Sequence, residues 1–160
     1  TRNMMSKFSY RTTEESNFTN VFLEGAINET FSGFDFVVNR DKSVRFDFGK
    51  VRTINSLGIR YWIAWIHKNP GVVFHFRNVP VCIVDQINNV SDFMPSGTTI
   101  ESFYVPYYSE HTGEEKHELY TEKKDFQRGK IPSVKYLEDS QGSQMDIDVY
   151  PQKYFKFLLK

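Results

Sequence analysis

The chain has 160 residues, enough for one domain or one domain with a small appendage. Its 20 Lys and Arg balance 20 Asp and Glu, which argues against nucleic acid as the main partner, since neutralising phosphates needs a clustered positive excess. Fifteen Phe, nine Tyr and two Trp can fill a substantial core, while no apolar run reaches the roughly 18–20 residues of a membrane span.

Lys7 to Thr13 reads as a short strand, Glu14-Glu15-Ser16-Asn17 as a polar turn, and Phe18 to Ile27 as a second strand. So short a polar link between two strands predicts a hairpin. Asn28 to Asn39 fits either a loose helix or irregular packing of Phe31, Phe34, Phe36, Val37 and Val38. After the Arg40-Asp41-Lys42 turn, residues 43–48 alternate apolar and charged side chains as a half-buried strand does. Ile59, Trp62, Ile63 and Ile66 then recur at the spacing of an amphipathic helix. Val72 to Phe76 is a continuous apolar run, read as a strand covered on both faces, with His75 satisfied inside it. Ile83, Ile87 and Val90 mark a helix after Pro80. Strand, helix, strand, helix predicts parallel neighbouring strands.

Met94-Pro95-Ser96-Gly97 breaks the chain, and Thr98 to Tyr108 is expected to be one long strand. Residues 109–130 are strongly charged, with Lys116 to Thr121 as a returning strand. Ser133 to Gln144 reads as loop, Met145 to Val149 as a strand and Gln152 to Leu159 as a closing aromatic helix. The chain therefore divides into residues 1–108 and a β-rich extension, 109–160.

Chemistry-bearing residues are few. Cys82 is the single cysteine and sits among apolar neighbours, where it reads as a small buried hydrophobe. One cysteine excludes an internal disulfide, and no charged-then-apolar leader pattern opens the chain; a reducing cytoplasm is expected. His111 and His117, with Glu110, Glu114 and Glu118, match no metal-ligand spacing. Nucleophile elbow, P-loop, dinucleotide turn and paired-histidine motifs are missing, so the expectation is a non-enzyme without cofactor or metal. Ser56 stands where a strand hands over to a helix. It reads either as an N-cap or as a site where a phosphate would be tolerated by free amides.

Residues Phe46 to Phe93 resemble the STAS family, the domain of bacterial anti-sigma-factor antagonists. Asn55-Ser56-Leu57-Gly58 stands where that family has an Asp-Ser-Ser-Gly turn, Phe76-Arg77-Asn78-Val79-Pro80 matches its strand-end Asn, and Asn88 to Phe93 resembles the segment ending its second helix. The resemblance covers about half the chain and implies an α/β fold: a small mixed β-sheet with helices packed on it. It also implies docking of a protein partner, an anti-sigma factor with serine-kinase activity, through Asn55, Ser56, Leu57, Gly58, Arg60, Tyr61 and Asn78. Ser56 aligns with the serine such kinases phosphorylate. Asn55 and Leu57 depart from the family turn, and Asn55 removes a carboxylate beside the serine. The extension resembles a zinc ribbon that has lost its cysteines, with Ser109-Glu110-His111-Thr112 where relatives carry Cys-x-x-Cys. Two other readings remain: a scaffold or homodimer module built on the extension, and a small-ligand (nucleotide) site at the strand-to-helix turn.

Overall fold

The computed structural model describes residues 7–160. Five strands form the first sheet in sequential order: β1 (Phe8–Glu14), β2 (Phe18–Ile27), β3 (Ser43–Ile54), β4 (Phe74–Arg77) and β5 (Thr99–Ile100). β1 and β2 make the expected antiparallel hairpin, and β2 through β5 run parallel. The βαβ crossovers are α1 (Ser56–His67) and α2 (Val81–Asn89). The fold is thus mixed α/β.

Alternation decides which face is covered. Val21 and Leu23 of β2, Val44, Phe46 and Phe48 of β3, Phe74 and Phe76 of β4 and Ile100 of β5 are buried on one face. They pack against Trp62, Trp65 and Phe93, with Phe46 4.8 Å from Trp62 and Phe93 stacked 5.3 Å from it between ring centroids. The other face, carrying Asn20, Arg45, Asp47, His75 and Arg77, has no helix on it among the described residues. β4 is therefore not covered on both faces: only Phe74 and Phe76 are buried, and Val73 is exposed. A run of apolar letters does not distinguish a doubly covered strand from one whose intervening residue is a half-buried histidine.

The irregular packing reading holds for residues 28–39, which contain neither helix nor strand. Phe31, Phe34 and Phe36 instead form an aromatic shelf under β1 and α1, with Phe34 4.9 Å from Tyr10 and 5.0 Å from Trp65.

The expected long strand over 98–108 is broken at Glu101. β5 stays in the first sheet, whereas β6 (Ser102–Tyr108) pairs antiparallel with β7 (Glu115–Thr121) and β8 (Asp146–Ile147) in a second sheet of order β7-β6-β8. A division after Tyr108 separates β6 from its partners. Glu101 is the crossing point: its amide donates to Phe76 O and its carbonyl accepts from Glu122 N. The closing helix is also shorter than expected, ending at Tyr154 as α3 (Pro151–Tyr154) and tightening into a 3-10 turn over Lys156–Leu159. That turn buries Phe157 and Leu158, and Phe103 lies 5.1 Å from Phe157.

Two turns of the second sheet are joined side chain to side chain. Ser109 Oγ accepts from His111 N and Thr112 N and donates to Asp139 Oδ2 at 2.6 Å. Asp139 Oδ1 in turn accepts from Gln141 N and Ser143 N. These bonds hold Asp139 below the usual carboxylate range, the Ser109 bond first among them.

Candidate functional site

The first turn of α1 is shaped by two residues. Asn55 is the N-cap in extended conformation (φ −119°, ψ 179°), and its Oδ1 accepts from Gly58 N at 2.9 Å. Its Nδ2 donates to Glu29 Oε1 at 3.0 Å, and its backbone amide donates to Ile27 O. The cap is thus Asn55 and not Ser56. Gly58 is the second determinant: a Cβ there would lie 1.9 Å from Ile27 O and 2.4 Å from Ile27 C. Only glycine lets the helix start directly against the end of β2.

With the cap supplied by its neighbour, Ser56 is the first helical residue, exposed, and its hydroxyl has no partner among the described residues. Leu57 beside it is 37% exposed. Arg60, one turn on, is exposed, and Tyr61 is half-buried on the shoulder of the helix. α1 contains no acidic residue and carries exposed Arg60, while the Glu29 carboxylate lies against the Asn55 cap. The structure brings Asn55, Ser56, Leu57, Arg60 and Tyr61 together, with Gly58 beneath them.

Asn78 is elsewhere. It follows β4 with a positive φ of 53°, a conformation asparagine tolerates better than most residues. Its Nδ2 donates to both oxygens of Asp47, and its amide donates to Ser102 Oγ at 2.8 Å. The register Asp47↔Arg77 puts it beside Phe48 and Gly49. That leaves about 20 Å of extended β3 between it and Asn55.

Two features escaped the sequence reading. The first is a charge hub on the open sheet face. Glu101 accepts from Arg45 Nε at 2.9 Å and Arg77 Nε at 3.2 Å, and His75 Nδ1 lies 3.0 Å from the same carboxylate. Arg45 also lies over the Phe18 ring, 3.6 Å from its centroid. His75 is satisfied as expected, though at this open face. Burial pulls the Glu101 carboxyl upward, but the Arg45 hydrogen bond and the charges of Arg45, Arg77 and His75 outweigh it and hold it below the usual range. A depressed carboxylate stabilises the fold above its unfolded pKa and loses that contribution as pH falls through the folded value. Glu101→Gln is therefore expected to cost about 1–3 kcal/mol at neutral pH. It should also flatten the acid limb of stability measured by urea denaturation across a pH series.

The second is a cleft of about 920 Å3 at the carboxyl ends of β3 and β4, lined among others by Lys50, Arg52, Cys82, Asp85, Tyr104 and His117. Cys82 is half-buried there, not fully; burial first, and then Asp85, push its thiol up and away from thiolate reactivity. Glu101 is 56 residues from Arg45 in sequence, and Lys50 and Arg52 belong to a strand tail, so neither constellation has a local spacing to reveal it.

Among the described residues no group of three or more His, Cys, Asp or Glu side chains is placed to hold a metal. No helix there is long and apolar enough to cross a membrane. No protein-family model matches the chain, and no curated protein matches it either.

Proposed function

We propose that this chain is a STAS-like bacterial regulatory module that works by binding a protein partner through the first turn of α1. By resemblance the partner is an anti-sigma factor with serine-kinase activity, and the setting is the cytoplasm. The observation that carries the reading is the transfer of the capping role to Asn55, which leaves the Ser56 hydroxyl exposed and unpartnered next to exposed Leu57 and Arg60.

Asn55, where the family has aspartate, fits its surroundings in this chain. A neutral amide both caps the helix through Oδ1 and donates to Glu29 through Nδ2. A carboxylate has no proton to donate and would meet Glu29 charge to charge. The serine thus keeps its place while the cap changes chemistry. A phosphate on Ser56 would add about −1.5 to −2 charge at pH 7. It would sit at a helix N-terminus where only the Gly58 amide is taken by the cap, so the fold tolerates it. The added charge would weaken docking by desolvation and by repulsion from a partner surface complementary to Arg60. The joined turns at Ser109 and Asp139 support a metal-free, ribbon-like extension in the same way, since side-chain hydrogen bonds tie loops that thiolates and metal tie elsewhere.

Intact-mass analysis of the protein from its own cells is expected to find a phosphate that Ser56→Ala removes. Ser56→Asp should weaken affinity for the co-purifying partner about tenfold, or about 1.4 kcal/mol. Equal affinity of Ser56→Ala and Ser56→Asp would end the switch. Unchanged binding by Leu57→Asp would end docking through this turn.

A further inference from the structure

Beyond the α1 turn, the outer edge of β1 is built to pair. Glu15 N donates to Phe18 O at 2.8 Å, and Ala26 N donates to Lys7 O at 3.4 Å, at opposite ends of the β1–β2 hairpin. The register between them is unbroken, from Phe8↔Gly25 to Glu14↔Thr19. In an antiparallel ladder hydrogen-bonded and non-hydrogen-bonded pairs alternate. Lys7, Ser9, Arg11 and Thr13 therefore bond inward to β2, and Phe8, Tyr10, Thr12 and Glu14 aim their amides and carbonyls outward. The Phe8 amide is taken by Thr30 Oγ1 at 2.9 Å. Those of Tyr10, Thr12 and Glu14 have no partner among the described residues. Arg11 to Glu14 are all exposed, and the strand carries no proline, glycine or bulge to blunt its edge; its charges are of opposite sign, Arg11 and Glu14, with Lys7 just before it. The opposite edge is blunted, since β5 has only two residues.

We infer that β1 pairs antiparallel with β1 of a second copy of this chain about a twofold axis at Thr12, joining two five-stranded sheets into one. Charge and hydrogen bonding select that axis. With the axis at Thr12, outward-bonding Tyr10 faces Glu14 of the second copy and Thr12 faces its own counterpart. On the open face Arg11 faces Thr13, with Glu15 of the second copy diagonal to it. Moving the axis to Arg11 would oppose two guanidinium groups and call on the Phe8 amide, which Thr30 already holds. Moving it to Thr13 would run pairing into the turn at Ser16. The shelf beneath β1 supplies apolar surface to the same junction. Phe36 packs 6.1 Å from Tyr10, and its neighbour Val37 is 93% exposed. Edge pairing of one seven-residue strand makes a small interface, so the dimer is a reversible one.

Sedimentation equilibrium of the full chain, from micromolar to near-millimolar concentration, tests this. The expected result is a monomer–dimer equilibrium that Thr12→Pro weakens at least tenfold. Proline there removes only an outward amide and is tolerated on an edge strand. Thr12→Lys, which places like charges on the axis, should do the same if the proline variant fails to fold. Mild oxidation should cross-link Thr12→Cys, whose Cα atoms would lie about 5.5 Å apart across the axis. It should not cross-link Glu14→Cys, whose counterparts lie four rungs apart. A wild-type chain that stays monomeric throughout overturns the inference, as does a dimer indifferent to Thr12→Pro and Thr12→Lys. Equal cross-linking at both positions overturns the register.

Discussion

Gly58→Ala is expected to cost about 3 kcal/mol or more and to lower the melting temperature by roughly 6–12 °C. Helix propensity alone predicts the opposite sign, because alanine is favoured over glycine in a helix by about 1 kcal/mol. Geometry wins because the added methyl would meet backbone, not a side chain that can swing aside: Ile27 O at 1.9 Å and Asn28 N at 2.9 Å. Relief requires α1 to move away from β2. That movement would break the Asn55 N to Ile27 O bond and the cap on Gly58 N together. Thermal unfolding followed by circular dichroism measures the cost. A gain in stability would mean that the helix start slides freely over β2.

The same position shows what could be read from the letters. Spacing of Ile59, Trp62, Ile63 and Ile66 located α1, because a helix must bury one stripe and four apolar residues at that spacing define one. The stripe that is buried is turned slightly from it: Gly58, Trp62, Trp65 and Ile66 face the sheet, and Ile59 and Ile63 ride on the shoulder. Gly58 has no side chain to contribute to a pattern, yet its close approach to Ile27 sets the roll of the helix. Alternation in residues 43–48 placed Arg45 and Asp47 opposite Phe46, and the structure agrees. The partners of Arg45, however, come from Glu15 in the β1–β2 turn, from Phe18 and Asn20 of β2 and from the break at Glu101, and sequence spacing carries no trace of them. The turn at Asn55 was visible as a strand-to-helix junction because Asn, Ser and Gly are cap residues. Which of them caps was decided by Glu29, a residue 26 positions away whose carboxylate takes the Asn55 amide. The long strand over 98–108 failed for a related reason. β propensity is continuous across Glu101, but that carboxylate is held by Arg45, His75 and Arg77 while the backbone turns into another sheet.

Trp62→Ala is the other change expected to have a large effect, about 3–5 kcal/mol. The indole is fully buried and touches Phe46, Phe48, Phe76 and Phe93, while its Nε1 donates to Phe93 O at 3.0 Å. Truncation would empty the centre of the helix–sheet interface and leave the Phe93 carbonyl without its donor. Trp62→Phe separates the two losses. It keeps an aromatic ring in place but removes the donor and should cost about 1–3 kcal/mol from the unsatisfied carbonyl, together with a smaller packing loss. Hydrogen exchange adds a readout tied to the α1 turn. Trp62 anchors the middle of the helix whose first turn carries Ser56 and Leu57, so the alanine variant should lose amide protection along α1 before global unfolding. The β6–β7 ladder, packed on Phe103 and Tyr120 instead, should keep its own protection. Protection lost equally in both regions would mean that α1 and the second sheet unfold as one unit, and that the first turn of α1 cannot be loosened without the rest.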